Sequence, residues 1–421
     1  MISVFLNYVD RANLSVGATD IRRELFLNDY QLGKLLSAFF WTYALCQLLG
    51  AAGWLVDRFH VGLVYATGFF LWSGATAITG VAHGFATILV LRLILGIGES
   101  VSYPVYSRIL ASNYPEHHRG FANALIDAGS KLGPAFGTLL GGLMMAQIGW
   151  RAFFLALGFG SFLWLAPWLA WMPRGAAAAG HTQQGGPGIL AILRHRPAWC
   201  SFFGLFCSNY FWYFLITWLP PYLEMERGFP KTKMALFGSL AFLAISVSSA
   251  VSGWVSDQWI AGGGTPTRVR KTFAGLGLTL STIILPVAVV RDENLAMALL
   301  MLACLSFGLY TSNLFAITQT LAGPSAAGKW TSLQNGVGNL AGVAAPWLTG
   351  FMVQETRHFY WAFVVAAAIA LAGAALFVLG IREVKQVEFE SPREHLIHRR
   401  DAERAEKDKR GRIKKSSVRA E

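Results

Sequence analysis

Apolar runs of roughly twenty residues recur along almost the whole chain, and they limit the possible fold more than any other feature. Runs long enough to cross a bilayer cover residues 1–18, 31–55, 62–82, 84–111, 121–146, 151–172, 199–222, 234–256, 272–290, 295–321, 330–353 and 359–380. Backbone polar groups cannot stay unpaired in hydrocarbon, so each run is expected to form a helix. We therefore predict an all-α integral protein of the cell membrane with twelve transmembrane helices.

Composition supports this interpretation and argues against a soluble protein. Charged residues make up only 14% of the chain, whereas soluble domains carry about 25%. The net charge of +12 does not indicate nucleic-acid binding, because most of the basic residues lie in loops and in the C-terminal tail rather than on one continuous face. The four cysteines fall inside predicted helices and lack metal-ligand spacing. We expect a monomer in the lipid bilayer, with no nucleic-acid partner, no metal and no cofactor other than coupling protons.

A polar segment divides the predicted helices into two groups of six. We predict an N-terminal six-helix bundle at residues 1–172, a cytoplasmic central linker at 173–197, a C-terminal six-helix bundle at 198–381 and a charged cytoplasmic tail at 382–421. An internal repeat supports the division, because GWLVD at 53–57 and GWVSD at 253–257 end the second helix of each group. Matches at equivalent positions are typical of duplicated, pseudo-repeated halves.

The basic tail also predicts the orientation, with both termini in the cytoplasm. The first helix is short on the cytoplasmic side, since only nine residues precede Asp10. Nine helical residues span about 13 Å, less than half of the roughly 30 Å hydrocarbon core. We expect that the first helix is truncated or that the native start lies upstream.

Six charged residues lie deep inside the predicted helices: Asp10, Arg11, Arg92, Glu99, Asp127 and Lys131. Each would cost about 2.5–3.5 kcal/mol at the centre of a membrane helix. Such groups are tolerated when they face a polar interior and pair with one another, which makes them candidates for a functional site.

The first helix places Tyr8 about one turn from Arg11, whose guanidinium can bind a carboxylate through two parallel hydrogen bonds. The alternative is that Arg11 snorkels to the membrane surface. On the fourth helix, Arg92 and Glu99 share one face because they are seven residues apart. A carboxylate in apolar surroundings binds a proton readily, so Glu99 is a candidate proton carrier; the alternative is a fixed ion pair with Arg92.

Other polar side chains are weaker candidates. Asp127 and Lys131 can pair along the fifth helix, or Lys131 can reach an anionic substrate. Amides in the tenth and eleventh helices suit substrate hydroxyl groups or bonds between helices; these are Asn313, Gln334, Asn335 and Asn339. The aromatic run at 210–213 is expected to serve packing rather than ligand stacking.

These residues resemble the major facilitator superfamily. Gly53-x-Leu55-x-Asp57-Arg58 is similar to the start of its signature loop, and Arg92-x-x-x-Gly96-x-Gly98 is similar to its fourth-helix motif. The resemblance implies the major facilitator fold, with gating or structural roles for Asp57, Arg58 and Arg92. We predict the same kind of role for Asp127, which can pair with Lys131, and for Asp257, which ends the repeated segment at 253–257. The loop departs from the family pattern after Arg58, where HVGL follows at residues 60–63.

Within that superfamily the chain is similar to the anion:cation symporter family, which includes hexuronate, galactonate, glucarate and tartrate carriers. The segments YVDRANL (8–14), GIGE (96–99), PEHHRG (115–120) and GKWTSLQN (328–335) carry this resemblance. It implies that Tyr8, Arg11, Tyr43 and Asn339 bind a sugar-acid anion, and that Asp10 and Glu99 carry protons. Sugar-acid carriers often have Gln at the position of Ser130, which Lys131 follows here.

We therefore expect a secondary transporter that carries a small organic anion together with protons by alternating access. The anion is expected to be a sugar acid or hydroxy-carboxylate. A second hypothesis is a proton-coupled efflux antiporter, because residues 129–137 approach the fifth-helix motif of drug antiporters. A remote third is a receptor or membrane enzyme that does not transport; no nucleophile elbow or phosphate-binding loop in the sequence supports it.

Overall fold

The computed structural model describes residues 2–113, 116–172 and 187–389, without the side chains of residues 57, 111–125, 127, 324 and 325. The described residues form twelve long helices and no β-strand, which confirms the predicted fold class. The helices are α1 (Ile2–Val16, continued by Ala18–Glu24), α2 (Asp29–Leu48 and Ala51–Arg58), α3 (Val61–Thr79), α4 (Phe85–Ser100 and Ser102–Asn113), α5 and α6 (the two parts of Glu116–Phe162, with Leu165–Trp171 ending α6), α7 (Arg196–Met225), α8 (Lys231–Ala261), α9 (Pro266–Leu280, Ser281–Ile283 and Ile284–Val287), α10 (Glu293–Gly323), α11 (Ala326–Thr356) and α12 (Tyr360–Ala375 and Leu376–Gly380).

Two glycines separate helices that would otherwise be continuous. Gly149 has a φ of 77° between α5 and α6, and Gly323 has a φ of 61° between α10 and α11. Side chains with a Cβ rarely adopt this left-handed region, whereas glycine does so at little cost. Each glycine therefore lets the chain reverse direction at a membrane surface within a very short connection.

The helices α1–α6 form an N-terminal half and α7–α12 form a C-terminal half, and they meet along three helix pairs: α1 with α7, α2 with α11, and α5 with α8. Glycines allow these pairs to approach closely. A Cβ added to Gly33 of α2 would lie only 2.8 Å from the carbonyl oxygen of Pro346 on α11. One added to Gly142 of α5 would lie 2.5 Å from the Cβ of Ala235 on α8. Small residues at such contacts are typical of helix packing in membranes.

We call the end where α1 leads into α2 the outer end, and the opposite one the inner end, following the orientation predicted from the tail. At the outer end, Lys231 of α8 joins the two halves. Its Nζ lies 2.6 Å from Oδ2 of Asp20, 3.3 Å from Oε1 of Glu224 and 3.1 Å from the carbonyl oxygen of Val16. Ser15 also donates a hydrogen bond of 2.8 Å to the carbonyl oxygen of Thr217. These contacts close the outer end above a central cavity.

Candidate functional site

A cavity of about 180 Å³ lies between the two halves, at mid-depth and towards the inner end. The wall that the N-terminal half contributes, here called the N-terminal wall, contains Tyr8, Arg11, Tyr43, Gln47, Tyr103, Ser130 and Lys131. The C-terminal wall contains Leu205, Ser208, Asn209, Trp212, Tyr213, Ile245, Phe307, Tyr310, Thr311, Leu314, Phe315, Asn335 and Asn339. The cavity therefore brings together seven of the sequence-predicted substrate residues: Tyr8, Arg11, Tyr43, Ser130, Lys131, Asn335 and Asn339.

Arg11 is held in the cavity by one acidic residue and three aromatic rings. Its Nε donates a hydrogen bond of 2.8 Å to Oε2 of Glu99, and the two side chains are 4% and 0% exposed. The guanidinium carbon lies 4.7, 4.8 and 4.6 Å from the ring centroids of Tyr8, Phe39 and Tyr43. This position is buried rather than at the membrane surface, unlike the snorkelling alternative. The Nη2 atom of Arg11 is buried and donates no hydrogen bond to a described residue.

The ion-pair partner of Glu99 differs from the sequence alternative. Helical spacing places Arg92 and Glu99 on one face of α4, which allowed an ion pair between them. In the structure the carboxylate of Glu99 forms its ion pair with Arg11 of α1 instead. Arg92 is also buried, with its guanidinium carbon 5.5 Å from the Phe39 ring centroid and its Nε unbonded. Packing of α1 against α4, which spacing along one helix does not report, decides this pairing.

Asp10 projects away from the cavity although it is adjacent to Arg11 in the chain. It is 2% exposed, and its Oδ1 accepts a hydrogen bond of 3.3 Å from Thr76 on α3. Both Glu99 and Arg92 lie within electrostatic reach of Asp10. The two predicted proton carriers, Asp10 and Glu99, thus belong to one buried cluster of two acids and two arginines beside the cavity.

A chain of three polar side chains crosses the cavity from one half to the other. The hydroxyl of Tyr213 donates to Oδ1 of Asn339 at 2.7 Å, and Nδ2 of Asn339 donates to Oε1 of Gln47 at 3.1 Å. Asn339 therefore links α7 and α11 to α2, in addition to lining the cavity. Any contact between Asn339 and a substrate would compete with this link.

Two of the predicted substrate residues lie outside the cavity wall. Gln334 donates from Nε2 to the carbonyl oxygen of Ser201 at 3.1 Å, which ties α11 to α7. Asn313 is 1% exposed and lies 3.4 Å from the Ser312 hydroxyl through Nδ2. The placement of Gln334 fits the alternative interpretation, in which amide side chains form hydrogen bonds between helices. The hydrogen bond of Asn313 stays within α10 and tests neither interpretation.

Three of the predicted gating residues have described side chains: Arg58 and Asp257 lie at the inner end, and Arg92 lies in the buried cluster. Arg58 is exposed at the end of α2, and Asp257 lies near the end of α8 within electrostatic reach of Arg270. The side chains of Asp57 and Asp127 lie outside the described residues, so their roles stay predictions.

Sequence reasoning missed several residues of the cavity. Gln47 and Tyr103 follow Tyr43 and Glu99 by four residues, so helical periodicity could have placed them on the same faces. Trp212 and Tyr213 line the cavity, although the aromatic run was expected to serve packing alone. For the remaining aromatic residues of the C-terminal wall, the sequence gives no indication of whether they face a cavity or the packed interior of the bundle.

A membrane-spanning bundle of two similar halves, with a polar cavity enclosed between them, defines the class of multi-pass membrane carriers. The sequence profile described as Major Facilitator Superfamily matches residues 1–346 and 268–418. The chain belongs to the major facilitator superfamily, as its motifs predicted, and it is a transporter rather than an enzyme.

Named relatives narrow the resemblance to carriers of organic anions. The chain is 31% identical over 413 residues to the D-galactonate transporter of Escherichia coli O6:H1, which covers 92% of this chain and 95% of the relative. It is 29% identical over 419 residues to a probable galactarate/D-glucarate transporter of Escherichia coli K12, with 91% and 94% covered.

A solved structure supports the fold. The bacterial homologue of the human lysosomal transporter Spinster, in an inward-facing and occupied conformation, superposes with a TM-score of 0.77. At 18% identity over 90% of this chain and 95% of that chain, this likeness concerns the fold alone.

Proposed function

We propose that the protein carries a small organic anion, a sugar acid or hydroxy-carboxylate, together with protons by alternating access. The observation that carries the proposal is the buried Arg11–Glu99 pair beside the cavity. One edge of the Arg11 guanidinium is bound to Glu99, and in this proposal the buried Nη2 binds the substrate carboxylate. The relatives named for D-galactonate and for galactarate/D-glucarate support an acid of this kind.

Coupling follows from the charge balance of the buried cluster. Asp10 and Glu99 offset Arg11 and Arg92 when all four are ionised. A substrate carboxylate that binds Arg11 adds a negative charge to this low-dielectric region, and protonation of Glu99 removes one. Proton and anion thereby favour each other's binding, which is the condition for coupled transport. Asp10 is a second proton acceptor in the cluster, at the α3 side of α1.

Reorientation of the carrier requires that contacts between the halves break at the outer end while others form at the inner end. In the structure the outer end is closed by Lys231 and by the α2–α11 contacts. We infer that the loaded carrier breaks this closure while the halves close at the inner end, so that the cavity faces each side in turn. The chain Tyr213–Asn339–Gln47 lies where substrate binding can influence this exchange.

Transport by the purified protein in proteoliposomes tests the proposal, with galactonate and galactarate as probes. Arg11→Ala is expected to abolish both uptake and counterflow, since the anion loses its charged partner. Glu99→Gln is expected to keep counterflow, which needs no net proton movement, and to lose accumulation driven by a proton gradient. Glu293→Gln is a matched control, because Glu293 lies 47% exposed at the outer end, far from the cavity.

Accumulation by Glu99→Gln at the wild-type level would remove Glu99 from the coupling mechanism. Uptake that rises when the inside, rather than the outside, is acidic would favour the antiport hypothesis. Transport by Arg11→Ala at the wild-type rate would refute the anion site itself.

A further inference from the structure

We propose that Glu224 is a proton-binding residue of the outer gate, which competes with Asp20 for Lys231 and closes the outer end when it takes up a proton from outside. The outer gate is here defined as Asp20, Glu224 and Lys231 together with the carbonyl oxygen of Val16. The inference rests on the alternating access of the proposed function, and it assigns a role to a carboxyl group that lies outside the cavity.

Lys231 binds acceptors from both halves at once. Its Nζ lies within 3.3 Å of Asp20 and the Val16 carbonyl oxygen in the N-terminal half, and of Glu224 in the C-terminal half. An ammonium has three N–H donors, so these three acceptors use all of them. Two carboxylates around one ammonium also repel each other, and the outer gate has one negative charge in excess when all its groups are ionised.

Glu224 and Lys231 are expected to move together, because a short turn joins α7 to α8. The backbone N–H of Phe229 donates to the carbonyl oxygen of Leu223 at 2.9 Å, which closes this turn on itself. The Arg227 side chain donates to the carbonyl oxygen of Val290 at 2.8 Å, which fixes the turn to the end of α9. Glu224 therefore stays beside Lys231 whether the halves are together or apart.

Asp20 belongs to the other moving part. Its neighbour Arg22 pairs with Asp29 of α2 at 2.7 Å, and Glu24 pairs with Arg151 of α6 at 2.7 Å. These contacts hold this segment of α1 to the N-terminal half. Opening of the outer end consequently takes Asp20 away from Lys231 and leaves Glu224 as its only carboxylate partner in the outer gate.

A proton on Glu224 acts differently on the two arrangements. When the outer end is closed, Lys231 keeps the Asp20 carboxylate at 2.6 Å, and the repulsion between the two carboxylates disappears. When the outer end is open, Lys231 is left without an anionic partner in the outer gate. The proton therefore favours closure. It comes from the outer solution, because Asp20 is 32% exposed at that surface and the cavity lies towards the inner end.

The other charged groups around this end of α7 have partners of their own or lie in solvent. Lys231 attracts the ionised form of Glu224 and Asp20 repels it. Around them, Arg23 is exposed, Arg227 is held by backbone carbonyl oxygens, and the remaining groups form the pairs Arg22–Asp29, Arg151–Glu24, Lys233–Glu293 and His358–Glu226.

The labelling rate of a cysteine at Thr217 tests the competition. Thr217 is 3% exposed below the outer gate, and the background lacks the four native cysteines. An impermeant maleimide is added outside proteoliposomes at a single pH of about 8. Asp20→Asn is expected to raise the rate, because the closed arrangement loses its ion pair. Glu224→Gln is expected to lower the rate by about three- to tenfold, which corresponds to one screened charge interaction.

The direction of the second effect distinguishes the proposal from a fixed structural role. If Glu224 only held the outer end closed, its removal would raise the labelling rate. Glu226→Gln is the matched control, since Glu226 lies two residues further along and pairs with His358 within the C-terminal half. We expect this variant to remain within about twofold of the parent. A raised or unchanged rate in Glu224→Gln would overturn the proposal.

The dependence on outside pH tests proton uptake itself. The Thr217 rate is divided by that of a cysteine at Val81, which is 51% exposed at the outer end, to correct for ionisation of the thiol. As the outside pH falls from about 8 to about 5, the ratio should fall by about three- to tenfold in the parent and by less than about twofold in Glu224→Gln.

Equal pH responses of the parent and Glu224→Gln would overturn the role of Glu224 and leave the anion carrier intact. Absence of labelling at Thr217 in every variant, including Asp20→Asn, would contradict alternating access and with it the proposed function.

Discussion

The two halves of the protein share a six-helix plan but bury different kinds of polar side chain. The N-terminal half buries Asp10, Arg11, Arg92 and Glu99 between its helices. Among the described residues of the C-terminal half, the buried polar side chains are Ser, Thr, Asn and Gln, and none carries a charge. Equivalent scaffolds have therefore come to hold chemically different interiors.

The difference indicates how the two halves of a duplicated carrier can take on separate roles, one structural and one in ligand binding. Many hydroxyl groups in the C-terminal half form hydrogen bonds within that half, as when Ser252 of α8 donates to the carbonyl oxygen of Leu309 on α10 at 3.0 Å. Such bonds hold helices together without a binding partner from outside. Buried charges are costly unless they are paired, and their balance changes with every proton or anion that binds. We therefore expect the half that holds the buried charges to be the half that responds to ligands.

The largest expected effect comes from breaking the charge pair of the N-terminal half. Arg11→Met leaves Glu99 buried without its partner, and we expect this to cost about 3–5 kcal/mol of stability. Gln334→Leu in the C-terminal half removes a neutral bond to Ser201 and should cost only about 1 kcal/mol. Thermal unfolding in detergent compares the two variants.

The double variant Arg11→Met/Glu99→Leu removes both charges and is expected to recover most of the lost stability, because no unpaired charge remains. Similar losses in Arg11→Met and Gln334→Leu, or no recovery in the double variant, would contradict the contrast between the halves.

A smaller effect is expected from the charged contact that joins the halves at the outer end. Lys231→Ala removes the ion pair with Asp20. We expect this to destabilise the state with a closed outer end by about 1–2 kcal/mol relative to the open state, which would raise the open population by about 5- to 30-fold. A cysteine placed at Thr217, in a background without the four native cysteines, should then react faster with an impermeant maleimide. An unchanged labelling rate would show that Lys231 does not hold the outer end closed.

The uncharged hydrogen bond between the halves at mid-depth should have a smaller effect on transport than the Lys231 ion pair. Gln47→Leu removes the hydrogen bond to Asn339, which is worth about 0.5–1.5 kcal/mol. We expect a change of about two- to tenfold in the apparent affinity for the transported acid, with the maximal rate changed less. Concentration-dependent uptake measures both quantities, and an effect as large as that of Lys231→Ala would reverse the proposed order.

The smallest effect concerns an exposed ion pair within the N-terminal half. Arg151 of α6 and the Trp150 indole donate hydrogen bonds to Glu24, which lowers the pKa of that carboxyl group. A lowered pKa in the folded state stabilises the protein above the unfolded pKa, and this contribution is lost as the pH falls through the folded pKa. Because Glu24 is 47% exposed, solvent screening limits the contribution of this ion pair to the free energy of unfolding to below about 1 kcal/mol.

Glu24→Gln should therefore lower the melting temperature slightly at pH 7, and the difference from the wild type should shrink under acidic conditions. A difference that grows as the pH falls would contradict the direction of the pKa shift.

The helices could be predicted well from the sequence, because hydrocarbon leaves the backbone few alternatives to a helix. Four of the six charges predicted to lie deep in the helices are buried in the structure, namely Asp10, Arg11, Arg92 and Glu99, and their cost in lipid is what makes such residues conspicuous. Buried Asp29 was not predicted. What spacing could not provide was the partner of Glu99, which depends on how α1 packs against α4. Nor could it separate Gln334, which bonds to α7, from Asn335, which faces the cavity one residue later.

The most direct test of the central claim, that the buried charges of the N-terminal half couple protons to an anion, is the pH change outside proteoliposomes on addition of galactarate or galactonate. For the wild type we predict that the medium becomes more alkaline as the acid enters, and that Glu99→Gln shows no such change while it still exchanges the acid. Uptake by the wild type without any pH change, or with acidification of the medium, would contradict the claim.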